Sequence, residues 1–154
     1  MTARAGLATL AVTLAILIAS PIIACVRLTN GPDPYRPHFR QVAEIGASLA
    51  GRPVELIWGS EGITSGLPFY LPKAKPLMIS PLSAEGRAAI AAHGLLIVCT
   101  SNDEGCRQTA ESFVRAGAAS KSVTLTRSFL GFSSPPVSFQ ITSGLIVSTG
   151  IGRS

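Results

Sequence analysis

SAEGRAAIAAHGLLIVCTSNDEGCRQTAESFVRA, Ser83 to Ala116, is the stretch whose reading decides the fold. Ser83 suits a helix cap, and Gly94 suits the stop that follows His93. Leu95-Leu96-Ile97-Val98-Cys99 is then a short, unbroken apolar run, the pattern of a strand buried on both faces. Asn102 or Asp103 caps a second helix, which runs to Ala116. The order helix, buried strand, helix is the unit from which parallel sheets are built.

The pattern repeats outward. Upstream, Asn30-Gly31-Pro32-Asp33-Pro34 reads as a turn-rich linker. Residues 37–50 place Phe39, Val42, Ala43, Ile45, Gly46 and Leu49 at helical spacing, with Pro37 in the first turn and Gly51 just past the end. Residues 53–58 (PVELIW) suit a buried strand, 59–62 a loop, 63–71 a short helix closed by Pro72, and Leu77-Met78-Ile79 a second strand. Downstream, residues 123–129 and 136–141 alternate apolar and polar positions like one-sided strands, joined through Gly131-Phe132-Ser133-Ser134-Pro135. The sequence therefore predicts a small three-layer α/β domain over residues 37–142. Its sheet is mainly parallel with a C-terminal antiparallel strand pair, and 143–154 form a tail.

The composition locates the remaining apolarity. The chain has 154 residues, 47% hydrophobic and only 14% charged, against about 25% charged in soluble domains. That excludes a disordered chain. Between Ala5 and Val26 no residue is charged (AGLATLAVTLAILIASPIIACV). As a helix this run spans about 33 Å, enough for a bilayer core of roughly 30 Å. Residues 1–27 are expected to be a transmembrane helix or uncleaved signal anchor, with 28–36 as linker. A cleaved signal peptide is a second reading, since Arg4 precedes the run. A lipoprotein signal is a third, because Ile22-Ile23-Ala24-Cys25 resembles a lipobox whose cysteine is acylated. Each puts the domain on a membrane or outside the cytoplasm. The expected place is the inner membrane, single-pass, with the domain in the periplasm. Arg27, Arg36 and Arg40 follow the run and by the positive-inside rule favour the opposite orientation for a lone helix. A cleaved signal or further helices upstream remove that conflict.

The net charge of +5 is modest and unclustered, and aromatics are 6%, so nucleic acid is not an expected partner. Membrane lipid is. In an open α/β sheet, ligands bind beyond the carboxyl ends of the strands. The loops there, Gly59-Ser60-Glu61-Gly62 and residues 100–105, match neither a dinucleotide fingerprint nor a P-loop nor a nucleophile elbow. Trp58, Ser60 and Glu61 are the ligand-binding candidates: a ring that can stack on a sugar, a hydroxyl, and a carboxylate. The competing reading makes Trp58 a packing residue and Glu61 a solvated one. His38 and His93 read as surface or helix-end histidines, no zinc spacing exists, and no cofactor is expected. Cys99 ends a strand and Cys106 begins the next helix, close enough for a disulfide in an oxidising compartment. A redox pair, for which the spacing is not C-x-x-C, and two free thiols are the alternatives. The expected bridge pins residues 100–105.

Three pieces carry a resemblance: RPVELIWGSEGITSGLPFYLPKAKPLMIS (52–80), AAHGLLIVCTSNDEGC (91–106) and TRSFLGFSSPPVSFQI (126–141). Together they resemble the C-terminal extracytoplasmic region of bacterial membrane glycosyltransferases of the dolichyl-phosphate-mannose protein mannosyltransferase and aminoarabinose transferase type. Phe69-Tyr70 before a Pro-rich turn, a GLLIVC strand with a second cysteine, and an aromatic-Gly-Phe segment are the shared features. The resemblance implies a polyprenyl-phosphate-sugar-dependent transferase. It also implies catalytic carboxylates in an early extracytoplasmic loop that has no counterpart in this sequence, so no catalytic residue is carried over. The expectation is a non-catalytic extracytoplasmic domain, a fragment or split copy, partnered by the glycosyltransferase membrane portion. The alternative is a stand-alone membrane-anchored or lipoprotein periplasmic binding module.

Overall fold

The computed structural model describes residues 2–30, 36–129 and 131–144. In chain order its elements are α1 (Thr2–Asn30), a 3₁₀ turn (Arg36–His38), α2 (Phe39–Ala50), β1 (Leu56–Gly59), α3 (Ile63–Gly66) with a 3₁₀ turn (Leu67–Phe69), and β2 (Lys75–Pro76). There follow α4 (Ala84–His93), β3 (Leu95–Thr100), α5 (Glu104–Arg115), β4 (Ser120–Leu125), β5 (Ser128–Phe129), β6 (Phe132–Ser133) and β7 (Val137–Gly144). They form two compact units: Met1–Pro34 with Thr126–Pro135, and Tyr35–Leu125 with Pro136–Ser154.

The larger unit is the α/β domain. Its sheet runs β2-β1-β3-β7-β4. β1 pairs in parallel with β2 and β3, whereas β7 is antiparallel to both β3 and β4. All six residues of β3 are buried, as its unbroken apolar run requires of a central strand. Alternate side chains of β3 feed two cores. Leu96 and Val98 join Val42, Ala43, Ile63, Leu67, Phe139 and Ile141 on the α2–α3 side. Leu95, Ile97 and Cys99 join Ile90, Cys106, Ala110 and Phe113 on the α4–α5 side. Helices thus cover both faces, and the architecture is the three-layer α/β expected. α2 approaches closely because Gly46 faces Leu96: a Cβ there would lie 2.6 Å from the leucine Cδ2.

Local chemistry sets the helix starts. Ser83 Oγ accepts the Gly86 N–H at 2.9 Å, and Asp103 Oδ1 accepts the Cys106 N–H at 3.0 Å. Four expectations are corrected. The second strand is Lys75–Pro76, not residues 77–79: the Lys75 and Leu77 N–H groups bond to Glu55 and Ile57 oxygens at 2.8 and 2.7 Å, so the proline between them, which has no N–H, sits where none is needed. β4 ends at Leu125, opposite Val137, and beyond it Ser128–Phe129 pairs with Phe132–Ser133 as a separate two-stranded ribbon. β7 continues to Gly144, and Ser143, assigned to the tail, is buried with its N–H on the Ala119 oxygen at 2.9 Å. The helix beginning the chain extends past 27 to Asn30. The rest of the tail, 145–154, and linker residues 31–35 lie outside the described residues.

In the smaller unit, α1 is one continuous helix of 29 residues with Pro21 inside it. Its Ala8–Val26 segment is long and apolar enough to cross a membrane. β5 and β6 form a two-stranded ribbon, and β6 lies against α1.

Candidate functional site at the carboxyl edge of the sheet

β1 and β3 are neighbours, yet their chains leave in opposite directions. From β1 the chain enters α3, whose Ile63 packs in the α2-side core; from β3 it enters α5, whose Ala110 and Phe113 pack in the other. Such a divergence opens a crevice at the carboxyl ends of the strands, the usual ligand position in open α/β sheets.

At this edge two of the protein's own hydroxyl residues meet, Ser60 and Thr100. Ser60 is 5% exposed and so is Thr100. Ser60 Oγ accepts the Thr100 N–H at 3.0 Å and lies 3.4 Å from Thr100 Oγ1, while the Ser60 N–H donates to the Val98 oxygen at 3.1 Å. Gly59 makes this approach feasible. Its φ of 156° is one that residues with side chains avoid, and a Cβ there would collide with the Val98 carbonyl. Ser60 therefore acts as a bolt between the ends of β1 and β3.

The other two sequence candidates point elsewhere. Trp58 is half-buried and packs against the α4–α5 core beside Leu56, Leu77 and Ala118. Glu61 is exposed in the loop. The three thus have different surroundings: a hydrogen-bonded strand end for Ser60, an apolar core for Trp58 and an exposed loop position for Glu61.

Cys99 and Cys106 form the expected disulfide, with Cα atoms 5.5 Å apart. Both residues are buried. The bridge ties the end of β3 to the first turn of α5, and the turn between them is further closed by the Asp103 N–H on the Thr100 oxygen at 3.2 Å. Cys25 lies inside α1, partly buried.

His93 is exposed at the end of α4, as expected, whereas His38 departs from the surface reading. His38 is 1% exposed and meets the Phe139 ring edge-on, with centroids 6.2 Å apart. Phe139 lies opposite Thr100, so this contact fixes the start of α2 at the carboxyl edge. His93 is at a helix end, but its Nδ1 lies 2.8 Å from Glu55 Oε2. Glu55 and His93 precede β1 and β3, so that pair sits at the opposite edge from Ser60. Among the described residues, no three His, Cys, Asp or Glu side chains gather as a metal site.

Sequence reasoning missed two features. One is a hollow of about 150 Å³ at the carboxyl edge, lined by Ser101, Arg107, Ser122, Ser138 and Gln140 with Phe139. Arg107 there is paired with Glu104 at 3.1 Å. The hollow draws on three segments distant in sequence, and no local motif announces it. The other is exposed apolar surface: Phe69 is 86% and Met78 89% exposed, with Tyr70 and Leu82 also open. Compared with family models, curated proteins and solved structures, the chain matches none of them.

Proposed function

We propose that the chain is a membrane-anchored, extracytoplasmic accessory domain that works beside a polyprenyl-phosphate-sugar-dependent membrane glycosyltransferase, without carrying the transfer chemistry itself. One observation carries the reading. A helix long and apolar enough to cross a membrane precedes a domain stapled by a buried disulfide. Disulfides persist in oxidising compartments, so the two together support the reading of an extracytoplasmic domain, which we set at the inner membrane of a bacterial cell. The glycosyltransferase association is drawn from the three resembling sequence pieces. The exposed Phe69 and Met78 supply apolar surface for a partner.

A second reading, a stand-alone membrane-anchored or lipoprotein binding module in the periplasm, is favoured by the polar hollow around Arg107. Its ligand would be small and hydrogen-bonding, with a carboxylate or phosphate for the guanidinium.

One experiment separates the readings. In intact cells, Glu85→Cys on the exposed face of α4 should react with a membrane-impermeant maleimide; protection until the cells are lysed refutes the extracytoplasmic placement. Photo-crosslinkers at Phe69 and Met78 should then trap a multi-span glycosyltransferase. Crosslinks confined to copies of this chain, with an acylated Cys25 in its mass spectrum, favour the stand-alone module.

A further inference from the structure

We propose that β4 is a docking edge for an extended segment of a partner protein, one that carries an acidic residue between two apolar ones. Among the described residues β4 borders the sheet, with β7 on its inner side. The register shows which of its backbone groups are open. The Ser143 N–H donates to the Ala119 oxygen at 2.9 Å, one step beyond the pair Ser120 and Thr142. In an antiparallel ladder, bonded pairs alternate with unbonded ones. Lys121, Val123 and Leu125 therefore bond inward to β7, and the N–H and C=O groups of Ser120, Ser122 and Thr124 face outward. The other side of β7 agrees. The Ser101 N–H donates to the Ser138 oxygen at 3.1 Å, so Ser138, Gln140 and Thr142 are the residues that bond toward β3.

A different hollow flanks this edge on each face of the sheet. Val123 and Leu125 pack against the α2-side core, so Lys121 shares their face. There a hollow of about 420 Å³ is lined by Glu44, Ile45, Ser48, Leu49 and Lys121, and Glu44 is paired with Arg40 at 3.0 Å. Ser122 lies on the α5 face, in the hollow it shares with Gln140, where Arg107 is the charged residue among those lining it. The disulfide holds that arginine in place, since Cys106 beside it is bonded to Cys99, and Cys99, Gln140 and Ser122 lie in one row across β3, β7 and β4.

These features define the occupant. A strand added to an open edge takes affinity from main-chain bonds and specificity from pockets for alternate side chains. Residues opposite one another in a sheet share a face. The residue opposite Ser122 therefore lies on the Arg107 side, where a carboxylate meets the guanidinium. Its two neighbours lie on the other face, beside Ile45 and Leu49, where apolar side chains fit. β4 carries no carboxylate, and its Lys121 is exposed. The β4 of a second copy would bring another lysine to this edge, like charge against like, whereas an acidic segment brings the opposite sign. β2, which ends two residues before Met78, is the opposite edge. This surface and the crosslinks expected at Phe69 and Met78 thus stand or fall separately.

The test uses the full chain in detergent and a capped, fluorescent peptide, Thr-Thr-Val-Glu-Val-Thr-Thr, whose binding is read by anisotropy. Peptide at about ten times its Kd should slow hydrogen exchange about tenfold at the Ser120, Ser122 and Thr124 amides. Replacing the peptide's Glu by Lys should weaken binding about fivefold. Arg107→Gln should erase that difference, with Trp58 fluorescence and a non-reducing gel reporting an intact fold and disulfide. Methylating alternate amide nitrogens of the peptide should abolish binding. Absence of binding, equal binding of the Glu and Lys peptides, undiminished binding of the methylated one, or protection that spares these three amides each overturns the proposal. Sedimentation that shows the chain paired without peptide, with the same amides already protected, assigns the edge to a second copy and overturns it too.

Discussion

Removing the Cys99–Cys106 bridge should cost a sizeable part of the domain's stability. The bridge joins residues seven apart. Loop-closure entropy for a ring of that size is about 2.4 kcal/mol at 25 °C, held by the native state because the unfolded chain is constrained. Reduction alone removes that share. The double variant Cys99→Ala with Cys106→Ala also removes two sulfur atoms from a buried cluster, adding about 1 kcal/mol. For a domain of this size, 1 kcal/mol moves Tm by roughly 4 °C, so reduction should lower Tm by about 10 °C and the double variant by somewhat more. Trp58 is the sole tryptophan and packs against the cluster that holds both cysteines, so its fluorescence follows this half of the domain without added probes. The measurement is thermal or denaturant unfolding of the full chain in detergent, oxidised, reduced and doubly substituted. A loss below about 1 kcal/mol on reduction refutes the reasoning, because the chain-entropy account then fails for this loop. Two reactive thiols at Cys99 and Cys106 in exported, non-reduced protein refute the bridge itself.

Other outcomes follow from single contacts. Ser60→Ala strands the buried Thr100 N–H and should cost about 1–3 kcal/mol by denaturant unfolding, whereas Glu61→Gln next to it should leave stability unchanged. Gly46→Leu should destabilise by at least 2 kcal/mol, since α2 must move off Leu96 to admit the side chain, and near-UV circular dichroism should record the disturbed packing. Asp103→Ala removes the cap of α5 and should cost about 1 kcal/mol; a null result there would mean that the disulfide alone positions the helix start. His93→Ala breaks the contact between its Nδ1 and Glu55; the two side chains are about half exposed, so the expected loss is below about 1 kcal/mol.

Much of the fold was legible in the sequence because its determinants are local. The caps at Ser83 and Asp103, the stop at Gly94 and the run of five apolar residues at 95–99 each declare themselves within a few positions. The strand–helix disulfide was legible for the same reason, being a contact between consecutive elements. What the sequence concealed depends on partners far along the chain. Ser60 looked like a loop hydroxyl available to a ligand, and Thr100, 40 positions away, takes it. His38 does stand at a helix end, as the N-cap of α2, but it is buried there, edge-on to Phe139. The limits of β4 and β7 follow from their mutual register rather than from hydrophobic alternation, and for that reason the polar Thr142 and Ser143 end up inside. Thr142 Oγ1 meets Ser120 Oγ at 2.8 Å, so its hydroxyl has a partner that periodicity does not reveal.

The outer strands of the sheet have a consequence for crowding. Among the described residues, β2 and β4 are the two edges, each with backbone groups open on one side. An open edge invites a neighbouring molecule to add a strand. β2 has only two residues, Lys75 and Pro76, one charged and the other unable to donate. β4 is longer, and it carries Lys121 among exposed serines. Molecules tethered in a membrane, as proposed, meet one another at far higher local concentration than free molecules do. For such a population the lysine on each edge, with the proline beside one of them, works against stacking into sheets, and neutral replacement of Lys121 should raise clustering before it alters folding.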